Sequence, residues 1–333
     1  MGRSTTIVDV AQAAGVSKST VSNVVRGAEP VAEETRRRVL AEIERLNYTP
    51  NGIARQFVKR RTTMVGVLVG DLGNPYHAHL SQAVERALFR RGHTAMFCNV
   101  DGDQDAAVAG VEALLEQRVA GFVLMGQVER AAQVAAALRA SEVPVVTIGL
   151  RQGWTDSVGP RDREGGRLAA AHLLELGHRR IAYVRTASAE AGGDRARHAG
   201  YAAVLRAAGI EPLPPIAWEP GSVAIADALH EPTAPTAVIV WNDHTAVALI
   251  DACEATAGIQ VPADLSVVGF DDIDVAGLRR IALTTVAQPL DLQAEKAVAM
   301  LLGRIDAGAT GRPRHVSVPV ELRVRASTRS PAR

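Results

Sequence analysis

The sequence predicts an α/β protein: a small all-α head, then a two-lobed body built on doubly wound parallel sheets. Three observations predict it. The segment through Arg61 reads as short amphipathic helices punctuated by Gly15 and Pro50. From Met64 onward, short apolar runs alternate with helical patterns, the signature of βαβ units and parallel strands. That alternation occurs in two sets over about 270 residues, room for two lobes with a cleft between. The expected boundaries are 5–50 for the head, 51–61 for a linker and 62–330 for the body.

In the head, Thr6 and Asp9 have capping-box spacing, so a first helix starts at Ile7. Val10, Ala11 and Ala14 give it an apolar stripe, and Gly15 supplies a tight turn. Ser17 is the N-cap of a second helix, with Val16 and Val21 as a hydrophobic staple. Val21, Val24 and Val25 face the first helix, leaving Lys18, Ser19, Thr20, Ser22 and Asn23 outside. Helix, glycine turn and helix in this order make a helix-turn-helix, whose second helix presents its N-terminal residues to base edges in the major groove. Lys18 can donate to guanine O6/N7 and Asn23 can pair with adenine. Ser19 and Thr20 reach phosphate or base. The plainer alternative is a helical hairpin with a polar face.

Glu33 to Leu46 continues as a third helix, with Val39, Leu40, Ile43 and Leu46 on its inner side and Arg36, Arg37 and Arg38 on the outer. Asn47 takes the left-handed position at its end. Pro50 breaks the chain, and residues 51–60 can form one more short helix running into Lys59-Arg60-Arg61. Through Arg61 there are 11 basic and 6 acidic residues, against 26 and 30 in the remainder. A basic head on an acidic body fits phosphate contact by the head alone.

These residues carry a family resemblance. TIVDVAxxAGVSxxTVS from Thr6, then NYxPN (Asn47 to Asn51) and Ala54-Arg55, resemble the LacI (lactose repressor) family of bacterial regulators, over nearly the whole chain. The resemblance implies a sequence-specific, double-stranded-DNA-binding transcriptional regulator, a repressor, controlled by a small effector such as a sugar or sugar derivative. It implies contacts to a near-palindromic operator by Thr6, Ser17, Lys18, Ser19, Thr20, Ser22 and Asn23. It also implies a hinge segment that folds on DNA through Asn51, Ala54, Arg55 and Lys59, with Phe57 as the minor-groove wedge where relatives usually carry leucine. Asn23 stands where arginine is frequent, so the operator sequence does not carry over.

In the body, the buried strands expected are Met64–Gly70, Thr94–Cys98, Gly121–Met125, Val143–Ile148, Arg180–Val184, Ala237–Trp241 and Leu265–Phe270. Helices are expected over Pro75–Arg91, Gln104–Gln117, Arg130–Ala140, Glu164–Leu176, Asp194–Ala208 and Asp243–Ala257. Ligands of such sheets bind outside the carboxyl ends of strands. The resemblance implies a fold like periplasmic sugar-binding proteins, with chain crossovers near Val158, Gln288 and Pro319. It assigns the effector to Tyr76, His77, Arg197, Trp218, Asn242, Asp271 and Gln288. Arg197 would hold ligand oxygens through its guanidinium. Arg161 stands where relatives carry Asp; facing the cleft, it would favour a carboxylate or phosphate on the ligand, and the equal alternative is that Asp162 takes that place. Gly149 replaces another frequent Asp. Read without the family, Tyr76 and Trp218 could be core residues, Asn242 or Asp243 a helix N-cap and Arg197 a surface ion pair.

Composition bounds the rest. The chain is 47% hydrophobic and 22% charged over 333 residues, ordinary for a globular protein with several cores. Cys98 and Cys253 lack metal-type spacing and read as free thiols in a reducing compartment, the cytoplasm. No leader and no apolar run of 18 residues is seen, so neither secretion nor membrane spanning is expected. Nucleotide-loop, nucleophile-elbow and zinc motifs are absent, so no enzyme activity, cofactor or metal is expected. The terminal stretch from Arg323 is basic and expected to fray. It lacks leucine heptads, which favours a homodimer. The rival readings are a sugar-transport receptor, compatible with the body alone, and a Rossmann-type enzyme.

Overall fold

The computed structural model describes residues 5–26, 31–48, 62–126, 132–149, 151–185, 192–219, 234–308 and 311–331. It divides into two units, Met1–Thr62 and Thr63–Arg333.

The first unit holds α1 (Ile7–Ala13), α2 (Lys18–Arg26) and α3 (Glu33–Arg45). The backbone N–H of Thr6 donates to the Asp9 carboxylate at 2.8 Å, fixing the start of α1. Gly15 turns the chain at φ +63°. Ser17 Oγ then accepts from the Thr20 N–H at 3.1 Å, the cap that starts α2. Val10, Ala11, Ala14, Val21, Val24 and Val39 form the core, with Ile43 and Leu46 packed on it. Leu40, expected on that side, is 49% exposed. At 100° per residue, Val39, Ile43 and Leu46 share one narrow stripe and Leu40 falls about 90° away from it. Asn47 ends the helix at φ +45°, as the sequence requires.

The second unit contains two six-stranded sheets. The first lobe uses β1 (Met64–Val69), β2 (Thr94–Asn99), β3 (Phe122–Met125), β4 (Val145–Ile148), β5 (Asp156–Pro160) and β11 (His315–Val318). Their spatial order is β11-β5-β4-β3-β1-β2, with all pairs parallel. Its helices are α4 (Pro75–Phe89), α5 (Gln104–Glu116), α6 (Ala132–Ala140) and α10 (Leu290–Ala307). The second lobe uses β6 (Ile181–Arg185), β7 (Ile216–Ala217), β8 (Ala237–Val240), β9 (Ser266–Asp271), β10 (Thr284–Ala287) and β12 (Glu321–Arg323). Their order is β12-β10-β9-β8-β6-β7, parallel except for the β10–β12 pair. Its helices are α7 (Asp162–Glu175), α8 (Gly192–Ala207) and α9 (Asp243–Ala257).

Both sheets therefore repeat the 2-1-3-4-5 doubly wound order, which puts a topological switch beside β1 in one lobe and β6 in the other. Each sheet is covered on both faces. In the first lobe one core includes Leu80, Val84, Val298 and Leu301, and the opposite core includes Val111, Leu114, Val134 and Leu138. In the second, Trp218, Leu249 and Leu265 pack on one face and Leu173, Tyr201 and Phe270 on the other. The chain crosses between lobes after β5, after β10 and between β11 and β12. These are the three places the family resemblance implies.

The chain end is a correction to the sequence reading. Ser327 is 1% exposed, and its hydroxyl donates to Val267 O at 2.6 Å while accepting from Thr284 N–H at 2.8 Å. Polar residues looked frayed because their partners lie on β9 and β10, far away in sequence. The same stretch engages buried His178: one ring nitrogen lies 2.8 Å from the Arg329 carbonyl and the other 2.8 Å from the Thr236 hydroxyl. That pairing fits the neutral ring, with one nitrogen donating and one accepting. Burial lowers its pKa, and the bond to the Arg329 carbonyl opposes this. A depressed histidine stabilises the fold above its unfolded pKa, about 6.5, and loses that contribution as pH falls through the folded value. His178→Asn is expected to be less stable than the parent by about 1–2 kcal/mol at pH 7.5. Thermal melts should show that gap narrowing toward pH 5; a constant gap contradicts the assignment.

Candidate functional site

The strand carboxyl ends of the two lobes face each other across a cleft whose empty volume, open mouth included, is about 770 Å³. That lies in the range of small-molecule pockets. On the first lobe, Tyr76 and His77 sit in the opening turn of α4, which Asn74 caps by accepting the Tyr76 N–H at 3.0 Å. Gly126 and Gly149 follow β3 and β4. On the second, Asp162, Asp194 and Arg197 come from α7 and α8, while Trp241, Asn242 and Asp271 lie at the ends of β8 and β9.

Arg197 is the anchor of the second wall. Its Nε donates to Asp162 Oδ1 at 2.8 Å and its Nη1 to the Trp241 carbonyl at 2.5 Å. The guanidinium carbon lies over the Phe270 ring, 3.6 Å from its centroid. These three contacts fix the guanidinium at the cleft wall. Asp162, not Arg161, lines the cleft. Arg161 is exposed at the start of α7, its backbone N–H spent on Val318 O at 2.9 Å. The cationic cleft residue considered from sequence is thereby replaced by a carboxylate.

Asp271 sits at the end of β9 with φ +121°, followed by Asp272 at φ +59°. A non-glycine pair in this region costs of order 1–3 kcal/mol per residue and persists only where the surroundings fix it. Three side chains do so. Gln288 Nε2 donates to Asp271 Oδ1 at 2.6 Å, Arg325 Nη2 donates to Asp272 Oδ1 at 2.6 Å, and Asp243 Oδ2 accepts the Ile273 N–H at 3.1 Å. Asp243 also accepts the Thr285 hydroxyl at 2.6 Å, pinning α9 to β10. Burial pushes both the Asp271 and Asp243 carboxyls well above the usual range.

Gln288 thus stands behind the cleft rather than on its wall. Its Oε1 accepts from Gln293 Nε2 at 3.1 Å and, weakly, from the Tyr76 hydroxyl at 3.4 Å. The Tyr76 contact links a first-lobe ring to Asp271 of the second lobe through one carboxamide. Asn242 lines the cleft and also caps α9, accepting the Thr245 N–H at 2.8 Å. The two roles weighed from sequence coexist in one residue. Trp218 does not line the cleft. Its side chain is 1% exposed in the core beneath α9, because the short edge strand β7 turns it inward. Sequence reasoning missed Asp194, a buried acid in the first turn of α8 whose Oδ1 accepts the Tyr183 hydroxyl at 2.8 Å. An acid at a strand-to-helix junction was the available signal.

In the head, Lys18 and Ser19 are exposed at the start of α2, and Thr20, Ser22 and Asn23 are half-exposed. Thr6 is exposed beside them in sequence order at the start of α1, its hydroxyl on Asp9. Ser17 spends its oxygen on the cap. The hinge residues Asn51, Ala54, Arg55, Phe57 and Lys59 lie outside the described residues. Among the described residues no cluster of His, Cys, Asp or Glu could hold a metal ion. No described helix is long and apolar enough to cross a membrane.

A helix-turn-helix head and a two-lobed body with its cleft at the strand ends define a ligand-responsive DNA-binding protein. Residues 6–51 match the bacterial regulatory proteins of the lacI family, and residues 170–328 match the periplasmic binding protein-like domain. The chain is 34% identical to the ribose operon repressor of Escherichia coli over 308 residues, 90% of this chain and 93% of that protein. It is 36% identical to the HTH-type transcriptional repressor PurR of Erwinia tasmaniensis over 309 residues, 90% of each chain. The lac repressor dimer bound to operator and an anti-inducer superposes with a TM-score of 0.84 at 30% identity, covering 98% of this chain and 100% of that one. The chain belongs to the LacI family of transcriptional regulators. These relatives are transcriptional repressors, not enzymes, in line with the sequence expectation.

Proposed function

We propose that this regulator acts as a homodimeric, cytoplasmic repressor whose cleft binds an uncharged small molecule, a sugar or sugar derivative. The observation that carries the effector reading is the Arg197–Asp162 pair at the cleft wall, opposite Tyr76 and His77. An aligned guanidinium edge beside carboxylates offers hydrogen bonds to hydroxyls on both donor and acceptor sides. The relatives support the same class: one is a ribose operon repressor, and a LacI family regulator from Enterococcus faecium carries bound ribose (27% identity, TM-score 0.68, 80% of this chain and 99% of that one).

Two heads would read the half-sites of a near-palindrome, as twofold symmetry requires. Lys18 and Asn23 would contact bases, with Thr6, Ser17, Ser19, Thr20 and Ser22 placed for phosphates and neighbouring edges. Asn51, Ala54, Arg55, Phe57 and Lys59 would form the hinge contacts. Effector binding would favour one lobe arrangement, with about 1–3 kcal/mol of coupling to DNA.

Lys18→Ala and Asn23→Ala are each expected to cost about 1–3 kcal/mol on the cognate duplex and relax choice at one base position. Anisotropy titrations on cognate and single-mismatch duplexes check this. Equal losses on all sequences would leave these residues as phosphate contacts only.

A further inference from the structure

The first lobe carries a second cavity, at the opposite end of its sheet from the interlobe cleft. It lies where β4 and β5 begin, at Val145 and Asp156, whereas the cleft lies where they end. Its volume, open mouth included, is about 590 Å³, and none of its described lining residues also lines the cleft. That size suits a small molecule.

Trp154 is its aromatic wall. The residue sits in the connection from β4 to β5, half-buried, and packs on the core that includes Leu138 and Val145. Pro144 and Pro313 add rigid apolar surface. The Arg139 guanidinium, near the end of α6, lies over the Trp154 ring, 5.2 Å from its centroid. It makes no hydrogen bond or ion pair with any described residue, so its N–H donors can serve an incoming acceptor. The floor is Asp156, 2% exposed and held by two guanidiniums. Arg304 Nη2 donates to its Oδ1 at 2.8 Å and Arg314 Nη2 to its Oδ2 at 2.9 Å. Burial works against the charge, but the bonds from Arg304 and Arg314 outweigh it and hold the carboxyl down to about 2. One fixed anion thus stands between two cations, and the floor keeps a surplus of positive charge. Glu142, the other carboxylate among the described lining residues, is exposed at the rim, where water and salt screen it.

An aromatic wall beside a surplus of guanidinium sets the chemistry of an occupant. A neutral ring would leave the Arg139 donors unmatched, and an aliphatic acid would leave the Trp154 face uncovered. An aromatic ring bearing a carboxylate answers both, by stacking on the indole and by accepting paired N–H bonds from arginine. We propose that this cavity is a second ligand site, selective for small aromatic carboxylates, with Trp154 as stacking wall and Arg139 as anion anchor. It does not depend on what fills the interlobe cleft.

Isothermal titration of the full-length protein tests it with benzoate, 4-hydroxybenzoate, phenylacetate and indole-3-acetate. Benzamide and phenylacetamide are the neutral controls, and acetate and cyclohexanecarboxylate the non-aromatic ones. At least one aromatic acid is expected to bind with a Kd of about 1 mM or tighter, about tenfold or more ahead of every control. Arg139→Gln should cut the preference for acid over amide to about threefold or less, and Trp154→Leu should weaken the acid about tenfold. Both variants should keep operator affinity within about threefold of the parent. Arg197→Ala, which alters the cleft, should leave the acid bound. No aromatic acid binding at that level, an amide equal to its acid, or binding indifferent to Arg139→Gln overturns the proposal. So does binding that Arg197→Ala abolishes, which would place the probe in the cleft. If Trp154→Leu does not fold, Arg139→Gln decides, because that side chain is exposed.

Discussion

Gly166→Ala is expected to destabilise the second lobe by about 3 kcal/mol or more, the upper range for overpacking. For a domain of this size that is a fall in Tm of about 6–12 °C. A Cβ at this position would lie 1.9 Å from the Arg197 carbonyl oxygen, and one at Gly200 would lie 2.0 Å from the Arg163 carbonyl oxygen. The two glycines let α7 and α8 cross backbone to backbone. Because the obstacle is backbone, no side-chain rotation relieves it and the helices must separate. Arg197 rides on the obstructed turn, so the separation pulls it from Asp162 and Trp241 as well. Effector binding should therefore fall together with stability, while the head, a separate unit, keeps its own fold. Gly303→Ala is the control: it is also helical, meets nothing within 4 Å and should gain about 0.5–1 kcal/mol from reduced chain entropy. Differential scanning calorimetry of both variants decides, and equal melting points for the two would contradict the crossing geometry.

Arg197→Ala is expected to abolish the ligand response. Truncating one partner of a buried, hydrogen-bonded charge pair costs about 2–5 kcal/mol in binding, thirtyfold or more in affinity. Here the loss has three parts: the donor edge facing the cleft, the cation over Phe270, and the counter-charge of Asp162, left nearly buried and alone. Arg197→Lys is expected to rescue little, because an ammonium cannot serve Asp162, the Trp241 carbonyl and a ligand oxygen in one plane. Operator affinity without ligand should stay within about threefold of the parent, since about 0.7 kcal/mol or less is at stake outside the cleft. A retained ligand response in Arg197→Ala would remove this residue from the site.

The parts of the fold legible in the sequence were those whose signals are local. Thr6 and Asp9, Gly15, Ser17 and Asn47 each mark an element end through bonds within a few residues, and the structure has those ends. Strands β1, β3, β4, β6, β8 and β9 are buried on both faces and read as continuous apolar runs. Strand β10 was not legible: its Thr284 and Thr285 are fully buried, but their partners are Ser327, Arg325 and Asp243. The same long-range pairing hid the ordered chain end. Helix α10 lies in the first lobe although its sequence neighbours β9 and β10 are in the second, so only the crossover implied by the family resemblance pointed to it. At the cleft, strand-end placement identified Asn242 and Asp271, and the motif carried Tyr76 and Arg197. It could not choose between Arg161 and Asp162. That choice turns on where a helix starts, by one residue, and β-strand or helix register at that level is set by tertiary contacts such as Arg161 N–H to Val318 O.

The most direct measurement is selection from a random duplex library by the full-length protein, followed by anisotropy titration at about 150 mM salt with and without a bound effector. The account predicts enrichment of a near-palindromic site, a preference of about 10³-fold or more over scrambled duplex, and a shift in that affinity when the cleft is filled. No enriched sequence, with equal affinity for every duplex and no change on adding a ligand that binds the body, would contradict it.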